Sequence, residues 1–239
     1  MHEPLDILAI AAHPDDAELL MGGLLAKTAA SGKRAGVLDL TAGEAGSKGS
    51  AKRRLREAAD AAAIMGLAMR ENAALPDAHL ENTMAHRLVI ASYLRDWKPA
   101  IVLIQYGGGR NPDHHAASIL SRQAAYSAGL SSLNEGTPGH RPRLVLEAVS
   151  YLPVTPSFVV DISDSFETKM KAVRAYASQF DDAREAGDIL ASGSLSLYEQ
   201  IELRNREYGA RIQVAYGEPY LLREPFGIND PAEILGRSL

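Results

Sequence analysis

The residues best placed to do chemistry are His13, Asp15 and Asp16, in the run Ala11-Ala12-His13-Pro14-Asp15-Asp16-Ala17-Glu18. The run follows a short apolar stretch, residues 5–11, and precedes a helix-like one that starts near Asp16. A strand therefore ends, the chain turns sharply, and a helix begins. In open α/β sheets, ligands bind beyond the carboxyl ends of the strands. A His and an Asp three apart can reach one point in space if the turn is tight, and Pro14, with its locked φ, helps fix that turn. Metal-assisted hydrolysis needs an imidazole, a carboxylate that ligates and a spare carboxylate that does not. The ordinary alternative is that Asp15 or Asp16 caps the helix, as Asp commonly does, and that His13 is a plain strand-end histidine.

A second junction of the same kind lies later, in Gln105-Tyr106-Gly107-Gly108-Gly109-Arg110-Asn111-Pro112-Asp113-His114-His115. Asn111 suits a helix N-cap and Pro112 a first helical residue, which puts Asp113 and His114 in the first turn. In a parallel sheet both junctions lie on one edge, so their side chains can converge. Two His and one Asp drawn from them would make a three-ligand set with an open position, as hydrolytic zinc sites have. A carboxylate outside that set could take a proton from water.

The elements that must position these residues read as alternating strands and helices. Strands are expected at residues 5–11, 35–40, 71–75, 100–104, 144–151, 157–162 and 216–222. Helices are expected at 16–31, 51–65, 84–97, 112–127, 166–177 and 195–208, with Gly66 and Gly209 as stops. Gly22-Gly23 inside the first helix costs propensity, which points to close packing or to a substrate approaching there. A Gly-rich loop, 41–50, leaves the second strand end, where functional residues concentrate. Residues 134–143 read as a surface loop, 181–194 as loop or broken helix, and 223–239 as an irregular tail. The β-α-β-α alternation argues for an α/β fold, a mostly parallel sheet flanked by helices. No repeat or linker divides it, so one domain over 1–239 is expected, with a Rossmann-like part at about 1–130 and a part at about 140–239 that completes the pocket.

Composition narrows the class. Of 239 residues, 46% are hydrophobic, enough for a real core. The net charge of −5 comes with mixed signs and no long basic stripe, so nucleic acid is not an expected partner. There is no Cys, which excludes thiolate chemistry and disulfides and fits a reducing compartment. No basic leader and no apolar run of spanning length is present, so a soluble, cytoplasmic protein with no membrane partner is expected. No Gly-x-Gly-x-x-Gly turn follows the first strand, and two carboxylates stand where a phosphate would sit, which argues against a nucleotide-binding protein.

Ala12-His13-Pro14-Asp15-Asp16-Ala17-Glu18 with Gly22-Gly23, Thr41-x-Gly43-Glu44 and Pro112-Asp113-His114 resembles the PIG-L/LmbE-like zinc-dependent N-deacetylases. Ser157 to Ser163, then Lys169, Tyr176 and Ser178-Gln179-Phe180, are similar to the bacillithiol-pathway branch, which deacetylates N-acetylglucosaminyl-malate. The resemblance covers about residues 5–228. It implies that His13, Asp16 and His114 ligate Zn2+ (Fe2+ or another divalent ion being an option). It implies Asp15 as general base and then acid, Asp113 as an orienting group, Arg54 as a contact to the sugar and Glu44 near the pocket. Glu44 reads equally well as a loop-stabilising carboxylate.

The expected function is hydrolysis of an N-acetyl group from an N-acetylated amino sugar, and a homo-oligomer is expected. One position departs from the family pattern: Asn111 stands where a His is usual, a residue thought to polarise the acetyl carbonyl or steady the oxyanion. An Asn amide still donates a hydrogen bond but cannot be a cationic donor. The alternative is therefore a metal-retaining sugar-binding protein with weak or lost catalysis. His115, about 100° round the helix from His114, is a candidate substitute.

Overall fold

The computed structural model describes residues 3–133, 138–149, 154–180, 195–225, 227 and 230. Five strands form a parallel run: β1 (Ile7–Ala11), β2 (Ala35–Asp39), β3 (Met69–Asn72), β4 (Ile101–Gln105) and β5 (Leu144–Ala148). Two more, β6 (Phe158–Asp161) and β7 (Gly217–Leu221), complete a seven-stranded sheet in the order β3-β2-β1-β4-β5-β7-β6. Among the described strands, β7 alone runs opposite to the rest, pairing antiparallel with both β5 and β6. The mostly parallel α/β sheet expected from the sequence is present. Its strand order reverses between β1 and β4, and ligands in such sheets bind at the crevice this reversal opens.

Helices cover both faces: α1 (Asp16–Ala30), α2 (Ala51–Met65), α3 (Met84–Trp97), α4 (Pro112–Ala128), α5 (Phe166–Arg174), α6 (Ala177–Phe180) and α7 (Leu197–Arg211). Side chains alternate across a strand, and β1 shows it. Ile7, Ala9 and Ala11 pack with residues of α1, α2, α5 and α7, whereas Leu8, Ile10 and Ala12 pack with α3 and α4. A buried strand on both sides explains why its sequence is an unbroken apolar run.

Helix ends follow their cap chemistry. Ser50 accepts from Arg53 N at the start of α2, and Gly66 closes it in the left-handed region at φ 69°. Thr83 caps α3, Asn111 caps α4, and Ser196 with Glu199 forms a reciprocal capping box on α7.

Four expectations need correction. The third strand is Met69–Asn72, displaced from 71–75, because the polar Arg70 faces a buried carboxylate, Asp39, on the neighbouring strand. The helix expected over 166–177 breaks after Arg174, and at the break Tyr176 turns its hydroxyl inward to Glu18, 3.2 Å away. The last helix runs through Gly209 to Arg211. There Gly209 is a site of close approach rather than a stop, since a Cβ on it would lie 2.8 Å from the Tyr216 backbone. The strand expected over 144–151 is observed to Ala148. Its end at 150–151, the loop expected at 181–194, residues 134–137 of the polar loop and most of the tail lie outside the described residues.

The double glycine in α1 is explained by packing. A Cβ on Gly23 would sit 2.6 Å from Ile162 Cδ1 and 2.8 Å from Glu218 Oε1. The Gly23 and Leu24 amides donate to the two oxygens of Glu218 at 2.7 and 2.8 Å, Lys169 Nζ donates at 2.8 Å and Tyr220 Oη at 3.0 Å. Lys169 and Glu218 are fully buried, and burial lowers the Lys169 ammonium below its usual range, partly offset by Glu218. Removing one partner of a buried pair leaves an uncompensated charge. Lys169→Met is therefore expected to cost about 3–5 kcal/mol of unfolding free energy. Adding Glu218→Gln should recover part of that loss in urea titrations, and a double variant no better than the single one would contradict this account.

Candidate functional site

The two junctions meet at the sheet's switch point. Ala12 N donates to Gln105 Oε1 at 2.7 Å, so the last residue of β4 stitches the two strand ends together. His13 turns back so that its amide and its Nδ1 both lie against Asp16 Oδ2, at 2.9 and 3.1 Å. His114, in the first turn of α4, brings Nε2 to 3.2 Å from the same oxygen. His13 Nδ1, Asp16 Oδ2 and His114 Nε2 thus converge from two loops about a hundred residues apart.

Asp15 occupies the N-cap position of α1 but makes no side-chain cap bond. Its backbone lies at φ 112°, ψ −31°, which a non-glycine residue rarely adopts. Such strain costs on the order of 1–3 kcal/mol and persists where the surroundings enforce it, commonly at functional sites. Arg54 enforces it here. Its Nη2 donates to Pro14 O and to Asp15 Oδ2, both at 2.8 Å, and its Nη1 reaches Gly43 O at 3.4 Å. Gly43 is needed there, because a Cβ on it would lie 2.0 Å from Arg54 Nη1 and its φ is +66°. The capping explanation for Asp15 therefore fails: the carboxylate is turned to the cavity and to Arg54.

Electrostatics separate the two adjacent aspartates. Burial raises Asp15 to about 7, against the opposing charge of Arg54, and the neighbouring Asp16 adds to the rise. Asp16 is also penalised by burial, but the charge and hydrogen bonding of His114 and the contact with His13 outweigh this and hold it well below the usual carboxylate range. Burial disfavours the His13 cation, yet hydrogen bonds to Asp113, Asp16 and Asp77 overcome it and push the ring up to about 12. The site is an excess of carboxylates drawn around imidazoles, an environment that favours positive charge.

Two residues grip the far side of the His13 ring. Nε2 lies 3.1 Å from Asp77 Oδ1 and 3.4 Å from Asp113 Oδ2. Both carboxylates are anchored by loop amides: Ala45 N and Ala78 N donate to Asp77, and Ala78 N and Leu80 N to Asp113. Asp77 does not stand out in the sequence, where Pro76-Asp77 reads as a plain turn. Its signal is position: it follows β3 on the same sheet edge as the other two junctions.

The remaining residues singled out in the sequence fall as follows. Asn111 lines the cavity, and its Oδ1 accepts from Asp113 N at 2.9 Å as the cap of α4. Glu44 spends its two oxygens on Ala42 N and Asp77 N at 3.1 and 2.9 Å, so it shapes the loop. His115 turns away to Gly107 O at 2.8 Å and is absent from the cavity lining. The cavity itself measures about 490 Å³, and its lining also includes Lys48, Gln179, Phe180 and Leu197.

The donor set suits a divalent cation. Ligands bonded at 2.0–2.1 Å in a tetrahedron are about 3.3 Å apart, close to the 3.1 and 3.2 Å that separate Asp16 Oδ2 from the two ring nitrogens. His13 also groups with Asp77 and Asp113 at distances that could hold an ion. The loop amides already bound to those two carboxylates favour their role as partners of the ring's second nitrogen, a common arrangement behind metal-ligating histidines.

This fold with such a site defines a class of α/β proteins in which a His/His/Asp triplet that could hold a metal ion lies beside a second carboxylate outside the triplet. The family model described as GlcNAc-PI de-N-acetylase (PIG-L) matches residues 8–125. The diacetylchitobiose deacetylase of Thermococcus kodakarensis is 34% identical over an alignment covering 73% of this chain and 70% of that protein. The crystal structure of the conserved protein TT1542 from Thermus thermophilus superposes with a TM-score of 0.85 at 36% identity, covering 95% of this chain and 98% of that one. The N,N'-diacetylchitobiose deacetylase of Pyrococcus horikoshii shares the fold, with a TM-score of 0.77 at 24% identity over 90% and 82% of the two chains. The chain belongs to the PIG-L de-N-acetylase family.

Proposed function

We propose that the protein hydrolyses the N-acetyl group of an N-acetylglucosaminyl conjugate, such as N-acetylglucosaminyl-malate in bacillithiol synthesis, releasing acetate and a free amine. The observation that carries this reading is the convergence of His13 Nδ1, Asp16 Oδ2 and His114 Nε2 next to a carboxylate, Asp15, that stays outside the triplet. Membership of a de-N-acetylase family and the sugar substrate named for the archaeal relative supply the reaction type.

His13, Asp16 and His114 would hold the ion, with zinc the favoured occupant of a His/His/Asp hydrolytic site. A bound divalent cation supplies Lewis acidity, polarising the scissile carbonyl and acidifying water beside it. Asp77 and Asp113 fix the orientation of the His13 ring. Asp15, raised to about 7, is poised to accept a proton from the attacking water and to return it to the departing nitrogen as the amide C–N bond breaks. Arg54 holds Asp15 in its strained turn. Asn111 lines the cavity, and while its Oδ1 caps α4 its amide NH2 would donate to the developing oxyanion.

Two measurements test the reading together: elemental analysis of the purified protein, and acetate release from N-acetylglucosaminyl conjugates. About one divalent ion per chain, with activity removed by a chelator and restored by zinc, is the expected result. A protein that binds no divalent ion with the triplet intact would overturn it.

A further inference from the structure

A second cavity, of about 890 Å³, opens at the other edge of the sheet, beside Ile101 and Leu144, the first residues of β4 and β5. The site described above lies instead beyond the carboxyl ends of the strands, and the two cavities share no lining residue. The charged lining of the second cavity is Arg122, Arg141, Arg143 and Glu224. Arg122 is committed: its Nη2 donates to the buried Glu147 at 2.7 Å and its Nη1 to Glu224 at 3.1 Å. Arg223 also donates to Glu147, at 3.2 Å. Arg122 and Arg223 therefore balance Glu147 and Glu224. Arg141 and Arg143 remain, both exposed, and among the described residues neither is ion-paired with a carboxylate. In a chain of net charge −5 this is a local excess of positive charge. The backbone that carries it is pinned. His140 N donates to Ala128 O at 2.9 Å, His140 Nε2 lies 2.8 Å from Pro99 O, and Arg143 N donates to Ala100 O at 2.8 Å. Arg141 stacks over the Tyr126 ring, 4.9 Å from its centroid, and Gly129 makes room for it, since a Cβ there would lie 2.7 Å from Arg141 Nε. A guanidinium stacked on a ring keeps its in-plane N–H donors for an anion. Residues two apart in an extended chain share a face, and with Pro142 buried between them Arg141 and Arg143 both line the cavity.

We propose that this cavity is a binding site for a soluble phosphate monoester with an apolar body, held by Arg141 and Arg143 at a distance from the hydrolytic centre. The charge count selects the class. A phosphate monoester carries about −1.5 to −2 at neutral pH and offers three strong acceptor oxygens, which suits two guanidinium forks. A carboxylate, with one charge and two oxygens, fills a single fork. The wall beside the arginines is apolar, with Ile101, Leu144, Val145 and Leu222, and receives the ester group. The volume falls within the ~300–1,000 Å³ typical of small-molecule sites.

The test is calorimetric titration of the purified protein with phenyl phosphate, inorganic phosphate and benzoate, in wild type, Arg141→Met, Arg143→Met and Arg143→Lys. Wild type should bind phenyl phosphate, with inorganic phosphate weaker for want of the ring and benzoate weaker for want of the second charge. A hydrogen bond to a charged group corresponds to ~10–100-fold, so each Met variant should weaken phenyl phosphate by that factor. Arg143→Lys keeps the charge and should retain part of the affinity. Both side chains are exposed, so the urea midpoints of the free variants should match wild type, and if one Met variant were unstable the other would carry the test. No binding of phenyl phosphate by wild type overturns the site, and benzoate or inorganic phosphate binding as tightly overturns the ligand class. Affinity unchanged in both Met variants also overturns the site, since a phosphate held at His13, Asp16 and His114 would be indifferent to them.

Discussion

Asp15→Asn is expected to leave the fold and the bound metal intact while lowering kcat by about 10²–10⁴, the range that a positioned general base contributes. The reasons for a clean result are local. Asn is nearly isosteric, and its side-chain oxygen can still accept from Arg54 Nη2, which lies 2.8 Å from Asp15 Oδ2. Asn and Asp are also the non-glycine residues best tolerated at positive φ, so the turn at φ 112° survives. No helix-cap bond is lost, because Asp15 makes none. What disappears is the proton acceptor. His13→Ala gives the contrasting outcome: it removes one of three donors and frees Asp77 and Asp113 from their shared partner, so metal and activity should be lost together. Elemental analysis beside steady-state rates separates the two variants. An Asp15→Asn protein with wild-type turnover would remove Asp15 from the chemistry and move the proton to another cavity carboxylate.

The metal-type cluster could be read from the sequence because each half carries its own local grammar. An apolar run ends in His13-Pro14-Asp15-Asp16, and a glycine-rich loop ends in Asn111-Pro112 at a helix start, so strand end, turn and helix are declared in consecutive residues. A parallel sheet then forces both ends to one edge. Asp77 escaped because its neighbours declare only a turn, and its importance lies in a 3.1 Å contact with the ring of His13, far earlier in the chain. The Arg70 strand was displaced for a similar reason. A charged residue looks like a surface position until the buried Asp39 and Glu18 that face it are known. Glycine is ambiguous in the same way. Gly66 ends a helix through its own conformation, whereas Gly209 sits inside one because Tyr216 comes within reach of its missing side chain. Local preferences are written in adjacent residues; long-range contacts of single polar or small residues are not.

Asn111→Ser separates the two duties that Asn111 carries. Its Oδ1 caps α4 by accepting from Asp113 N, and that cap sets the turn from which His114 reaches Asp16. Serine caps helices about as well as asparagine, so unfolding free energy should change by less than about 0.5 kcal/mol and metal content should hold. The shorter hydroxyl cannot reach as far into the cavity as the amide. If that amide donates to the oxyanion, its removal should lower kcat by about 10²–10³ with KM little changed, since the interaction is made only in the transition state. Asn111→His runs the opposite way, giving up the cap at about 1 kcal/mol but supplying a ring that can donate as a cation. A faster enzyme would mean that Asn111 limits the wild type. Full activity in Asn111→Ser would instead reduce Asn111 to a helix cap, and the oxyanion would have to be met by the metal centre and the remaining cavity donors.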